Sequence, residues 1–192
     1  EPSLGLAPVV VDQIYEKITG VRGAFWTRIA YITSVGLGNN MTYSLIVADS
    51  DGFNPQVVAR SKEALLTPRW SPDGRKIAYV SFENKKPIIF VHTLSTGQRT
   101  AVANFRGSNS APAWSPDSRT LAVTLSKDGG SQLYLIPSTG GEPRLLSRSA
   151  GIDTEATFSP DGGSVYFVSD RGGSPQIYRI ATSGGEAKRV TF

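Results

Sequence analysis

Apolar and polar residues alternate along this chain in short runs broken by Gly, Pro, Asp, Ser and Asn, the pattern of half-buried β-strands joined by tight turns. The runs recur at a fixed interval. "PRWSPDGRKIAYVS" begins at Pro68, "APAWSPDSRTLAVTLS" at Ala111 and "EATFSPDGGSVYFVSD" at Glu155. Trp70, Trp114 and Phe158 therefore stand 44 residues apart, as do Phe90, Tyr134 and Tyr178, and Gly97, Gly141 and Gly185. Each period holds four strand candidates; in the second unit they fall at about 67–71, 75–82, 88–94 and 98–103. An earlier, degraded unit is visible. "FWTRIAYITS" from Phe25 runs its first two strands almost together without the SPDG turn, "YSLIVADSDGFNPQVVA" from Tyr43 supplies the remaining pair, and "VGLGNN" from Val35 restores the length. Four units result: 22–60, 64–105, 108–148 and 152–192.

A repeat of this length with four strands is the signature of propeller blades. The physical reason is burial. In "KIAYV", Ile77 and Tyr79 point one way and Ala78 and Val80 the other, so both faces are apolar and the sheet must stack between neighbours. The expected fold is all-β: a partial β-propeller of four four-stranded antiparallel blades. Ala30, Ala78 and Ala122 mark places where adjacent blades approach closely, and Tyr166 breaks that pattern. The repeated turn has a structural role. Pro72, Pro116 and Pro160 fix φ at its second position; Asp73, Asp117 and Asp161 accept from nearby backbone N–H groups. Gly74 and Gly162 take φ > 0, and Ser118 is the imperfect copy. Trp70, Trp114 and Phe158 end the innermost strands and pack between blades.

The first 21 residues differ. "VVVDQIYEKITG" places Val10, Ile14 and Ile18 on one helical face with Val11 and Tyr15 beside them, Asp12 at or in the first turn, and Gly20 as a stop. This reads as a linker and the terminal helix of an amino-terminal domain whose apolar face needs a partner. Propeller rings of six or seven blades are common, and the chain opens on this helix and stops at "RVTF" just after a fourth-strand candidate. Both ends read as cut from a longer parent.

Composition narrows the chemistry. Hydrophobic residues make up 39% of the 192, against wholesale disorder, and the 20 glycines and 12 prolines fall between apolar runs as turn residues do. A net charge of +4 is spread without a basic run, so nucleic acid is not an expected partner. There is no cysteine, which excludes disulfides and thiolate metal sites. No apolar run is long enough to span a membrane, and "EPSLGLAPVVV" lacks the layout of a signal peptide. No G-x-S-x-G elbow, dinucleotide fingerprint or phosphate loop is present. The single histidine, His92, sits at a third-strand position filled by Ile136 and Ile180 in other units, and reads as structural. Asp73, Asp117 and Asp161 lie on separate blades and do not converge as a catalytic pair. "DSDGFN" from Asp49 reads as a hairpin turn, since the remaining calcium ligands are missing. "NMT" at Asn40 is formally a glycosylation triplet on an exposed loop. No catalytic residue, metal or cofactor is expected.

What remains is surface. Strand direction alternates, so SPDG and STGG turns share one rim, while blade connections and the second hairpins share the other. That second rim carries "ARSKEALLT", "NFRGSNSAP", "SRSAGIDTE", "ENKK", "KDGG" and "DRGG", and Arg106, Asn109, Asp153 and Glu155 on it offer directional polar contacts.

The repeats, and above all the entry segment "VDQIYEKITGVRGAFWTRIAYI" continuing through "DSDGFNPQVVARS" and "LLTPRWSPDGRKIAYVSFE", resemble the TolB family of periplasmic propeller proteins over nearly the whole chain. The resemblance implies an amino-terminal α/β domain followed by six blades, of which this chain carries the last helix and four blades. It implies a non-enzymatic adaptor of the Tol–Pal envelope system, peripheral to the membrane, that supports outer-membrane integrity and constriction at division. Such a protein binds the lipoprotein Pal over the variable rim and TolA through a mature amino-terminal segment absent here; some colicins exploit the Pal surface. The matching loops are 105–112 and 150–156, with 61–67 adjacent, which assigns partner contact to Glu63, Leu66, Arg106, Ser108, Asn109, Ala111, Asp153, Thr154 and Glu155. Ser108 stands where close members can carry histidine, while Thr154 and Glu155 keep the family-like "TE" pair. The alternative is the substrate-gating propeller of a prolyl-oligopeptidase-like serine hydrolase, which requires a catalytic domain elsewhere.

Overall fold

The computed structural model describes residues 6–21, 23–24 and 27–192. Helix α1 (Leu6–Thr19) ends where Gly20 takes φ 71° and its N–H bonds Glu16 O at 2.8 Å. Asp12 lies inside the helix, not in its first turn. Val10, Ile14 and Ile18 are 49%, 52% and 78% exposed, so the apolar face expected from their spacing is open.

Among the described residues, fifteen strands then form four antiparallel sheets in chain order. The first comprises β1 (Arg28–Val35), β2 (Thr42–Asp49) and β3 (Gln56–Ser61). The second comprises β4 (Leu65–Trp70), β5 (Lys76–Ser81), β6 (Ile88–Thr93) and β7 (Arg99–Ala103). The third holds β8 (Asn109–Trp114), β9 (Thr120–Leu125), β10 (Gln132–Pro137) and β11 (Arg144–Ser147). The fourth holds β12 (Asp153–Phe158), β13 (Ser164–Ser169), β14 (Gln176–Ala181) and β15 (Lys188–Arg189). The first sheet has three strands among the described residues. The strand expected from Phe25 falls partly on Phe25 and Trp26, which lie outside them. The β1–β2 hairpin carries a short 3-10 turn at Gly38–Asn40, the insertion that lengthens this unit.

The alternation read from "KIAYV" is the alternation of the cores. Ile77 and Tyr79 pack with Leu45, Val47, Leu65, Ile88 and Phe90 against the first sheet. Ala78 and Val80 face the third sheet and meet Trp114, Leu121, Val123 and Tyr134. A third cluster joins Ala122, Leu133 and Leu135 to Val165, Phe167 and Ile180 of the fourth sheet. Every extensive contact between sheets joins chain neighbours: β4 lies against β8 and β8 against β12, as the inner strands of a radial stack that does not close among the described residues. Trp70, Trp114 and Phe158 end these inner strands and pack into the three cores. Trp114 also donates Nε1–H to Arg69 O of the preceding blade at 3.0 Å.

Each SPDG turn is a self-contained hydrogen-bond unit. Ser71 Oγ donates to Asp73 Oδ1 (2.6 Å), accepts from Lys76 N (2.9 Å), and Asp73 Oδ1 accepts from Arg75 N (3.1 Å). Ser115–Asp117–Arg119 and Ser159–Asp161–Gly163 repeat the arrangement. In each unit the serine hydroxyl chiefly holds the aspartate below its ordinary value of 3.8, helped by the backbone N–H. Gly74 and Gly162 take φ 67° and 70°. Ser118 takes φ 60° at the same place, and its hydroxyl accepts from Asp73 N of the preceding blade at 3.1 Å, so the serine links two turns. "DSDGFN" forms a hairpin turn closed by Gly52 N–H to Asp49 O and Phe53 N–H to Asp51 Oδ1.

Candidate functional site

The inner strands that run in from the rim opposite the SPDG turns share a strained device that recurs three times. In β4, β8 and β12 one extra residue is inserted: Thr67 and Pro68 together oppose Tyr79, Ala111 and Pro112 oppose Val123, and Glu155 and Ala156 oppose Phe167. The first of each pair is left-handed, with φ of 48° at Thr67, 50° at Ala111 and 50° at Glu155. None is glycine, so each carries roughly 1–2 kcal/mol of backbone strain, and the β-branched Thr67 is the least comfortable. A bulge re-aims the side chains beside it. Leu66 is 46% exposed and Thr67 and Glu155 are exposed, while Ala111 and Thr154 are half-buried. The sequence signal for this device is Pro68 and Pro112, prolines inside strands that otherwise read as paired; the third copy, Ala156, gives none.

Beneath the bulges, the first residues of β8 and β12 lock the connecting loops. Asn109 is 0% exposed; its Nδ2 donates to Phe105 O (2.9 Å), Pro87 O (3.1 Å) and Gly107 O (3.2 Å), and its Oδ1 accepts from Phe105 N (2.9 Å). Asp153, also 0% exposed, accepts from Arg171 Nη2 at 2.9 and 2.8 Å, from Ser147 Oγ at 2.9 Å and from Ser149 Oγ at 3.0 Å. Asn109 and Asp153, expected to offer contacts to a partner, are spent inside the chain. Burial leaves neither side chain a free face, and their role is to hold 104–108 and 148–152 in place.

Arg171, which sequence reasoning passed over inside "DRGG", completes the second lock. It spans Ser169, Ser147 and Asp153 and lies 5.2 Å from the Phe167 ring and 5.0 Å from Tyr178. The equivalent positions in the other blades are Lys127 and Glu83, so no repeat pattern marks it. Asp170 accepts from Ile152 N at 2.6 Å, and Gly151 is needed there because a Cβ would come within 2.2 Å of Asp170 Oδ1. In blade three, Tyr134 donates to Asp128 Oδ2 at 2.6 Å and fixes the β9–β10 hairpin. Burial, then this bond, pushes the phenol to about 12.

On top of these locks sit the groups free to face outward. Arg106 is exposed at the tip of 104–108, Ser108 is half-buried with its N–H bonded to Ser126 Oγ at 2.7 Å, and Ile152 is 54% exposed. Glu63 pairs with Lys85 across the second blade. The surface thus combines an apolar side chain, a guanidinium and a carboxylate over a base fixed by buried polar networks. It has the geometry of a recognition surface. Among the described residues no group of three or more metal-ligating side chains converges.

A model of the TolB beta propeller domain matches residues 15–192. The chain belongs to the TolB β-propeller family. The Tol-Pal system protein TolB of Xanthomonas oryzae pv. oryzae is 61% identical over 102 residues, which are 53% of this chain and 23% of that protein. The crystal structure of TolB from Acinetobacter baumannii superposes with a TM-score of 0.88 at 42% identity, covering 98% of this chain and 47% of that one. The chain thus spans about a quarter of the curated relatives it matches and about half of this structural relative. A puromycin-hydrolyzing peptidase of Mycobacterium tuberculosis shares the fold alone, at a TM-score of 0.65 and 18% identity over 89% of this chain and 29% of that one.

Proposed function

We propose that the chain serves as a non-enzymatic, periplasmic protein-binding scaffold of the Tol–Pal system, peripheral to the membrane, that grips Pal with its bulged rim and so supports outer-membrane integrity and cell division. Membership of the TolB family supports the system, as does the name of the Xanthomonas relatives. The observation that carries the surface is the bulge repeated at Thr67, Ala111 and Glu155: strain at the third residue of three neighbouring inner strands is retained where side chains must be aimed outward. Contact is assigned to Leu66, Arg106, Ser108, Ala111, Thr154 and Glu155, with Glu63 at the margin. Asn109 and Asp153 act as supports beneath. Contact with TolA through an amino-terminal segment, and capture of the Pal surface by colicins, extend the proposal to the longer family proteins.

Calorimetric titration of the soluble domain of Pal into the chain tests this. Leu66→Ala, Arg106→Ala and Glu155→Ala should each weaken binding, by about 2–5 kcal/mol for a charge buried in the contact and much less at its edge. Asp117→Ala, on the opposite rim, should leave affinity unchanged. Full affinity in all three rim variants would reject the assignment.

A further inference from the structure

The SPDG rim carries a cleft that the scaffold role above does not use. It lies between blades one and two, encloses about 630 Å³ and is walled by Arg28, Val47, Val58, Arg75, His92 and Leu94 among others. No acidic side chain lines it among the described residues. The cleft between blades three and four on the same rim has the opposite sign: Asp117 and Asp161 line its roughly 320 Å³ with no basic group. The sign of the cleft therefore differs between these two blade junctions and does not simply follow from the repeat.

Three features mark it as built. His92 is 7% exposed, and its Nδ1 has no hydrogen-bond partner. It shares a strand face with Ile88 and Phe90, turned toward the first sheet, and the same position in blades three and four holds Ile136 and Ile180, 0% and 2% exposed. A propeller core is satisfied by isoleucine there; an unpartnered imidazole needs another reason. Arg75 makes no side-chain hydrogen bond or ion pair among the described residues. Arg28 is held beside it, donating Nη2–H to Gly74 O at 3.0 Å with its guanidinium 4.9 Å from the Trp70 ring centroid. The remaining wall combines the aliphatic Val47, Val57, Val58 and Leu94 with the polar Gln56 and Ser95; Gln56, Val57 and Val58 belong to β3, which among the described residues is paired on one side only.

We infer that this cleft binds a carboxylate-bearing peptide segment, its carboxylate on Arg75 and Arg28, an aliphatic side chain against Val47, Val58 and Leu94, and His92 as the inner polar contact. A guanidinium fork matches a planar carboxylate. The valine and leucine wall has no use for a bare inorganic anion, and the open edge of β3 offers main-chain groups to an extended chain. Burial first, and the positive charge of Arg99 second, hold His92 below the usual imidazole range, so it enters as a neutral hydrogen-bonding group.

The test is a nitrogen-15 NMR titration of the 192-residue chain with N-acetyl-valyl-glutamate amide. The amide signals of Gly74, Leu94 and Gly97 should move saturably, and N-acetyl-valyl-glutamine amide, the same shape without the charge, should leave them in place. Arg75→Gln should weaken binding about tenfold. His92→Ile, which installs the residue of the neighbouring blades and keeps the fold, should weaken it as well. Equal shifts with inorganic phosphate at the same concentration would overturn the peptide assignment in favour of a simple anion site. No saturable response, an equal response to the neutral peptide, or unchanged binding by Arg75→Gln would overturn the site itself.

Discussion

Asp153→Ala removes the centre of the lock beneath the fourth blade's inner strand. The carboxylate is fully buried and receives two hydrogen bonds from Arg171 and one each from Ser147 and Ser149, all between 2.8 and 3.0 Å. Removing one partner of a buried ion pair typically costs about 3–5 kcal/mol, because the other charge is left uncompensated. Here the Arg171 side chain is 20% exposed and stacks on two rings, so it recovers part of its hydration. The loss should therefore fall near the lower end, about 3 kcal/mol. Urea unfolding of the two proteins measures it as a shift in midpoint at constant slope. In Asp153→Ala/Arg171→Met the stranded charge is gone as well, and the loss should be smaller than the sum of the two single losses. A loss under about 1 kcal/mol for Asp153→Ala, or strict additivity in the double variant, would show that the network is ornamental to stability and refute the reasoning.

Four further outcomes follow from other parts of the molecule. Ser118→Gly relieves a left-handed serine but deletes the bond to Asp73 N; each effect is worth about 1 kcal/mol, so the melting temperature should barely move. His92→Ile should stabilise the chain by about 1–2 kcal/mol at neutral pH, since a buried unpartnered nitrogen is replaced by an apolar group. Because burial and Arg99 lower the folded His92 pKa below 6.5, the wild type should lose stability as pH falls through 6.5 while the isoleucine variant lacks that loss. In the turns, Ser115→Ala should raise the Asp117 pKa toward 3.8, read by carbon-13 NMR. The lowered folded value gives stability that is held above pH 3.8 and lost as pH falls through it, so the variant should show a shallower acid loss. Gly151→Ala should lower the urea midpoint, because its Cβ would drive Asp170 away from Ile152 N.

How far the sequence carried depended on whether a feature repeats. Strand positions, the two-faced cores around Ile77 and Ala78 and the turn chemistry of Asp73 follow from local spacing, and local spacing survives from blade to blade. The rim was legible as a place but not as a set of side chains. Asn109 and Asp153 look like surface polar residues in a loop, and only the fold shows that each turns inward to meet groups from a neighbouring hairpin. Arg171 had no repeat partner to flag it, and the bulges at Thr67, Ala111 and Glu155 left a trace only where proline followed. Ser118 looked like a worn copy of glycine because its partner, Asp73, lies 45 residues away on the preceding blade.

The central claim is that buried locks hold one rim of this propeller in a shape that binds another protein. Hydrogen–deuterium exchange of the chain with and without the soluble domain of Pal tests it most directly. Slowed exchange confined to 62–67, 104–111 and 152–156, with the turns at 71–74, 115–118 and 159–162 unchanged, is the predicted result. Protection centred on those turns, or none at a concentration of Pal that saturates full-length family members, would contradict it.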